Sequence, residues 1–267
     1  MSIISARSNR ILLLYYIVIV FFLFSPILMG FYFSFGEQRF PSFPIDKFSL
    51  DWYADAWADS KLLDALQRSA LVAALVAPTA TILGGLGAYA DYRYRYPGRR
   101  FALALGLLPP TIPVLILALA FLAYLSELHL TASLYGVFIA HTVICLPFAM
   151  ALIRLRLSQL DPELESAAWN LGAGEWRAFL HIVLVFCRPM IFVSLMITFI
   201  ISFDEFTIAW FVSGTEQTLP VKVLNMVERQ SSPVINAIGS ITSLFTLAAI
   251  LIALLVIKRL DRTKWHD

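Results

Sequence analysis

Two carboxylates set in an apolar stretch are the residues of this chain best placed to do chemistry. Asp204 and Glu205 interrupt a run, 189 to 212, that is otherwise rich in Ile, Phe, Leu, Met and Trp. An ionisable side chain costs about 2.5–3.5 kcal/mol near the centre of a membrane helix, so one found there is a functional hypothesis by default. Ser194, Thr198, Ser202, Glu205, Ala209 and Ser213 recur at steps of three and four, which gathers them into one small, polar helix stripe. Asp204 is rotated by about 100° from that stripe, on the side of Ile197, Ile201 and Ile208. Glu205, Ser202 and Thr198 therefore form the best candidate surface for a polar path, with Asp204 beside it. A salt bridge near the outer interface is the structural alternative. No other chemistry is assembled. His129, His141, His181 and His266 fall in separate segments, so no metal site is expected, and His141 reads as an interhelical hydrogen-bonder. Gly84-Gly85-Leu86-Gly87 follows no strand and precedes no Lys, so it is not a phosphate loop. No nucleophile, base and metal ligands converge, so an enzyme is not indicated.

The elements that must hold these acids are membrane helices. With 60% hydrophobic residues, 14% charged residues and a mean hydropathy of +0.79, the chain is an all-α integral membrane protein and not a soluble domain. Apolar runs long enough to cross ~30 Å of hydrocarbon occur near 11–35, 65–90, 101–125, 134–153, 189–212 and 236–257, which predicts six transmembrane helices. The first run has no small-residue cleavage site and reads as a retained anchor. The second carries Ala80, Gly84 and Ala88 at steps of four, a face for close helix packing. The third is broken by Pro109, Pro110 and Pro113, whose freed backbone groups must meet protein or a wet cavity. Pro110 and Pro113 are thus candidate path wall, with a plain kink as the alternative. Cys145 and Cys187 are not placed to form a disulfide framework.

Positive charge sets the topology. Arg7, Arg10, Arg93, Arg95, Arg99, Arg100, Arg154, Arg156, Arg177, Arg188, Lys258, Arg259, Arg262 and Lys264 fall on one side, fourteen in all, against five on the other: Arg39, Lys47, Lys61, Lys222 and Arg229. The positive-inside rule then puts both termini and the 154–188 loop in the cytoplasm. The outer loop, 36–64, mixes Phe40, Phe43, Phe48, Trp52, Tyr53 and Trp57 with acids, a pattern of interface anchors or of partner docking. After 212, a short amphipathic helix with Leu219, Val223, Met226 and Val227 on its apolar side is expected at the outer surface. The chain divides as 1–60, an anchor and outer loop; 61–260, the core with its 154–188 loop; and 261–267, a tail.

The 154–188 loop is the longest polar interruption on the inner side. Asp161-Pro162 reads as an N-cap and first helical position, and Glu163 and Glu165 follow where the helix dipole favours negative charge. Leu164, Ala167, Ala168 and Leu171 share one face, and Gly172 and Gly174 end the helix. A second helix from Glu175, carrying Trp176, Phe179, Leu180, Val183 and Leu184, is expected to lie at the surface and turn inward at Arg188-Pro189. Two short helices at a Gly-Ala-Gly corner make a knob.

The segment ESAAWNLGAG followed by HIVLVFCRP resembles the cytoplasmic signature of ABC-importer permeases, written EAA, three residues, G, nine residues, I-x-L-P. Ala167, Ala168, Gly172, Ile182 and Leu184 match it. Ser166 stands in place of the usual Glu, with Glu165 one residue earlier, and Val185 stands in place of the proline. The resemblance implies a type I ABC-importer permease (MetI-like) bundle whose Asp161, Glu165, Ser166, Ala167, Ala168 and Gly172 seat on an ATPase subunit. SFDEFTIAWFVSG and TLPVKVLNMVERQSSPVINAIGSI resemble the second permease subunit of spermidine/putrescine importers, as HTVICLPFAMALIRLRL resembles its fourth span. The implied partners are a homologous permease in a heterodimer, two cytoplasmic ATPase subunits, a periplasmic or extracellular substrate-binding protein and membrane lipid, without nucleic acid. ATP and Mg would lie on the ATPase and no cofactor in this chain, which would be multi-pass in a bacterial inner membrane. Asp204 and Glu205 suit a polyvalent organic cation such as a polyamine. Permeases for 2-aminoethylphosphonate, opines and ferric ions share these segments. A proton-coupled secondary transporter using Glu205 as its relay is the reading from another class, but no inverted repeat is visible between the two halves of the chain and such a transporter would not need the knob.

Overall fold

The computed structural model describes residues 3–38, 42–228 and 233–262. Arg39, Phe40, Arg229, Lys264, His266 and most of the expected 261–267 tail lie outside them. The helices are α1 (Ile3–Phe33), α2 (Asp51–Ala58), α3 (Ser60–Arg93), α4 (Arg99–Leu107), α5 (Val114–Glu127), α6 (Leu134–Leu157), α7 (Pro162–Asn170), α8 (Glu175–Ala178), α9 (Leu184–Asp204), α10 (Thr207–Val212), α11 (Leu219–Glu228) and α12 (Val234–Arg262). Among the described residues, five stretches are long and apolar enough to cross a membrane, namely Ile11–Phe33, Ser60–Arg93, Leu134–Leu157, Glu175–Asp204 and Val234–Arg259, with Val114–Glu127 a shorter apolar helix. The chain forms two compact units, Met1–Ser60 with Asn225–Phe245, and Lys61–Leu224 with Thr246–Asp267.

In the first unit the described residues of the segment after α1 are pinned at several points. Gly36 and Phe48 form an isolated antiparallel bridge, Trp52 Nε1 donates to the Gly36 carbonyl at 2.6 Å, and the Tyr53 and Ser34 hydroxyls lie 2.7 Å apart. Trp52 and Tyr53 thus brace α2 against the loop, whereas Phe43, Phe48 and Trp57 stay exposed.

The second unit holds all the candidate site residues. Ala80, Gly84 and Ala88 of α3 are buried, and a Cβ on Gly84 would meet the Met150 nitrogen at 2.7 Å and the Ala149 Cβ at 2.9 Å. Only glycine lets α3 and α6 approach so closely. One core lies toward the start of α6 and joins Val72, Val76, Ala118, Leu125, Val137, Cys145, Ile208 and Val212. Another joins Ala88, Met150, Ile153, Leu157 and Leu160 to Val183 and Cys187, at the base of the knob.

The third run is broken where its prolines require: α4 and α5 are separated by a 3-10 turn, Pro109–Thr111, because consecutive prolines lack amide donors. At 14 residues, α5 is only ~21 Å long. Three expectations are corrected. The helix from Glu175 does not turn inward at Arg188-Pro189. It passes through a π turn at Phe179–Val183 and continues through Pro189 as α9, with Arg156 Nε supplying a donor to the Phe186 carbonyl at 3.1 Å. The fifth run breaks at Glu205, whose backbone is extended (φ −68°, ψ 122°). In α11 the inward residues are Leu219 and Val221, with Val227 exposed, because the Leu219 amide donates to Ser69 Oγ at 2.8 Å and fixes the helix rotation.

Candidate functional site

The knob is built as its residues dictate. Asp161 Oδ1 accepts from the Glu163 amide at 2.9 Å, Pro162 takes the first helical position, and α7 ends where Gly172 adopts φ +85°. The Gly172 and Ala173 amides close that end on the Trp169 and Ala168 carbonyls, both at 2.9 Å. A non-glycine residue at 172 would meet no atom within 4 Å but would carry the left-handed backbone penalty.

The two sides of α7 differ sharply. Leu164, Ser166 and Ala167 are exposed and Ala168 half-buried, and Leu171 is 89% exposed. The opposite side is held to the end of α3: Glu165 is 4% exposed and its Oε2 lies 3.9 Å from Arg93 Nε, while the Arg93 guanidinium sits 4.6 Å from the Trp169 ring centroid. Glu165 thus faces inward, and among the knob residues expected from sequence it is the one that positions the others. Below the knob, Phe179 packs edge-on to Tyr89 at 4.8 Å and stacks with Trp176 at 5.4 Å.

A residue absent from the sequence-derived set lies at the same end. Asp91 is buried and accepts from Arg99 Nε at 2.6 Å and Arg154 Nε at 2.7 Å, joining α3, α4 and α6 through charge-assisted hydrogen bonds. The signal was available: one acid in the arginine-rich segment DYRYRYPGRR. Arg93 and Trp169 belong to the same missed group, since nothing in their spacing pairs them.

The membrane acids come out differently from the expected stripe. Thr198 is 0% and Ser202 3% exposed, so both are inside the chain and on no surface of it. Ser194 Oγ is 3.2 Å from Thr81 Oγ1, Thr198 Oγ1 is 3.4 Å from the Ala77 carbonyl, and Ser202 Oγ is 3.0 Å from His141 Nδ1. The stripe fastens α9 to α3 and α6, as polar side chains do between membrane helices.

Glu205 folds back on the chain. Both its oxygens are 3.0 Å from the Ile208 amide, Oε2 is 3.0 Å from the Ala209 amide, and the carboxylate thereby caps the free N–H groups of α10. Its Oε2 also lies 3.3 Å from Nε2 of the fully buried His141. Asp204 is exposed and accepts a hydrogen bond from Thr246 Oγ1 of α12 at 3.3 Å. Pro110 and Pro113 are also exposed. The structure therefore separates the neighbours, with Glu205 turned in and Asp204 turned out. Among the described residues no His, Cys, Asp and Glu side chains cluster as a metal site would.

The family model described as binding-protein-dependent transport system inner membrane component matches residues 80–266. The spermidine/putrescine transport system permease protein PotC of Haemophilus influenzae is 28% identical over 243 residues, 91% of this chain and 94% of that protein. The putrescine transport system permease protein PotI of Escherichia coli is 31% identical over 228 residues, 82% of this chain and 81% of that protein. The crystal structure of a bacterial ABC transporter involved in import of the acidic polysaccharide alginate has a chain that superimposes with a TM-score of 0.70 at 16% identity, covering 100% of this chain and 99% of that one.

Proposed function

Since the chain belongs to the family of binding-protein-dependent transport system inner membrane components and is a membrane-spanning permease subunit of an ABC importer, we propose that its cargo is a polyamine of the spermidine or putrescine class and that its α7 knob seats a separate ATPase. The observation that carries the coupling role is the exposed face of α7, Leu164, Ala167 and Leu171, on a helix whose other side is fastened to α3 by Glu165 and Trp169. Ala167 and Ala168 keep the middle of that face small enough to enter a partner's groove, and Gly172 sets the corner that presents it. Asp161 and Ser166 lie on the same exposed knob and border that contact. A load applied to α7 reaches α3 through Arg93 and α9 through the continuous helix from Glu175.

In this reading the chain hydrolyses nothing. ATP and Mg bind two cytoplasmic ATPase subunits, a second, different permease completes the path, and a substrate-binding protein delivers cargo from outside, with both termini of this chain inside. Transport is alternating access between the two permeases. Asp204 is the acid that meets the cargo: it is exposed, next to a helix break, and a carboxylate there replaces water around an ammonium group. Pro110 and Pro113, also exposed, contribute wall to the path. Glu205, Ser202 and Thr198 shape that wall from behind by fixing α9 and α10. The relatives that carry spermidine and putrescine in their names support the choice of a polyamine.

The test is uptake of labelled spermidine, putrescine and 2-aminoethylphosphonate by cells with and without this chain, its partner genes being intact. Polyamine uptake that disappears with the chain and returns with it is the expected result. Unchanged polyamine uptake with loss of aminophosphonate uptake overturns the choice of cargo.

A further inference from the structure

We propose that the cavity between the ends of α3 and α6 and the start of α4 binds the phosphate of an anionic phospholipid headgroup. The cavity, of about 720 Å³, is lined by Asp91, Arg95, Tyr96, Arg99, Arg100 and Arg154 among others. Four guanidiniums face one carboxylate. Asp91 takes the Nε groups of Arg99 and Arg154, which aligns both side chains and leaves three positive charges in excess. Arg95 and Arg100 are exposed and have no ion-pair partner among the described residues. A bidentate guanidinium is the side chain best matched to phosphate.

The surroundings select a lipid over a free anion or an acidic protein segment. The cavity opens where the apolar span of α3 ends, the level at which a headgroup lies. From its rim, Phe101 and Leu105 of α4 and Leu108 just past its end follow at i, i+4 and i+7, exposed by 69%, 52% and 46%. A basic head pocket continuous with an exposed apolar stripe fits a molecule with a phosphate and an acyl chain. Basic pockets at the ends of membrane helices bind such headgroups. The leaflet rests on the orientation proposed above, and the pocket's chemistry does not.

The experiment is native mass spectrometry of the full chain in detergent, with dioleoyl phosphatidylglycerol, dioleoyl phosphatidylcholine or inorganic phosphate added. One phosphatidylglycerol should be retained in preference to phosphatidylcholine, and excess inorganic phosphate should not displace it. Arg95→Gln with Arg100→Gln should weaken that retention on the order of tenfold, while Lys258→Gln with Arg259→Gln, which removes the same charge elsewhere, should leave it intact. Equal retention by the Arg95/Arg100 variant overturns the site. Displacement by inorganic phosphate reassigns it to a free anion. Loss of ATPase copurification with lipid retention unchanged shows a protein surface instead, and likewise overturns the proposal.

Discussion

Arg93 Nε lies 3.9 Å from Glu165 Oε2, and this contact joins the end of a membrane helix to the base of the knob. The Arg93 side chain is 31% exposed and Glu165 6%, so water screens the pair in part and its loss should cost about 1–2 kcal/mol, below the range for fully buried pairs. Glu165→Gln and Arg93→Gln should each leave the protein inserted but raise the rate of proteolytic cleavage within 158–174. The exchanged pair, Glu165→Arg with Arg93→Glu, should recover part of the protection. Independent, additive effects of the two single changes would mean that the contact does not hold the knob.

The separation of Glu205 from Asp204 reverses the ranking expected from helical periodicity. Glu205→Gln leaves the α10 amides with a weaker acceptor and removes the carboxylate beside His141, and should lower stability by about 2 kcal/mol, read as a lower Tm in detergent. Transport per folded molecule should change little. Asp204→Asn should keep the Tm and reduce polyamine uptake several-fold. A Glu205→Gln protein with native Tm and no uptake would put Glu205 back on the path.

How much of this was legible in the sequence depends on whether the signal was local. The capped helix at Asp161-Pro162, the corner at Gly172, the small face of α3 and the proline break before α5 all come from residues whose own conformational limits decide the outcome. The break at Glu205 does not. SFDEFTIAWF contains neither Pro nor Gly, and the helix stops because a carboxylate can reach the Ile208 and Ala209 amides while His141, some sixty residues earlier, stands beside it. Periodicity placed Thr198 and Ser202 correctly on one stripe but could not say what the stripe faces. Asp91 was marked as the one acid among the arginines of 91–100, but its partner Arg154, distant in sequence, was not.

Close approach of α3 and α6 gives a packing prediction. Gly84→Ala puts a Cβ 2.7 Å from a backbone nitrogen, and should destabilise by about 1–3 kcal/mol as an overpacked contact. Gly239→Ala meets nothing within 4 Å and should be neutral or slightly stabilising, by up to about 1 kcal/mol from helix propensity. Thermal denaturation of both variants in one detergent makes the comparison. Equal Tm values would show that α3 can shift away at no cost.

Topology is tested by single cysteines on a background lacking Cys145 and Cys187. Cysteines at Arg100 and Ser166 should resist an impermeant thiol reagent added outside, while those at Asp51 and Gln217 should react. External labelling at Ser166 would place the knob where no cytoplasmic ATPase could reach it.

The most direct measurement concerns Leu171, whose side chain is 89% exposed at the tip of α7 and has no part in the fold. Leu171→Asp should be inserted and folded like the native chain, yet place an unpaired charge in the face proposed to seat the ATPase. Substrate-stimulated ATP hydrolysis by the reconstituted assembly should fall at least tenfold, with ATPase copurification reduced in step. Stimulated hydrolysis at the native rate, from an assembly shown to be correctly folded, would contradict the claim that this knob couples ATP hydrolysis to transport.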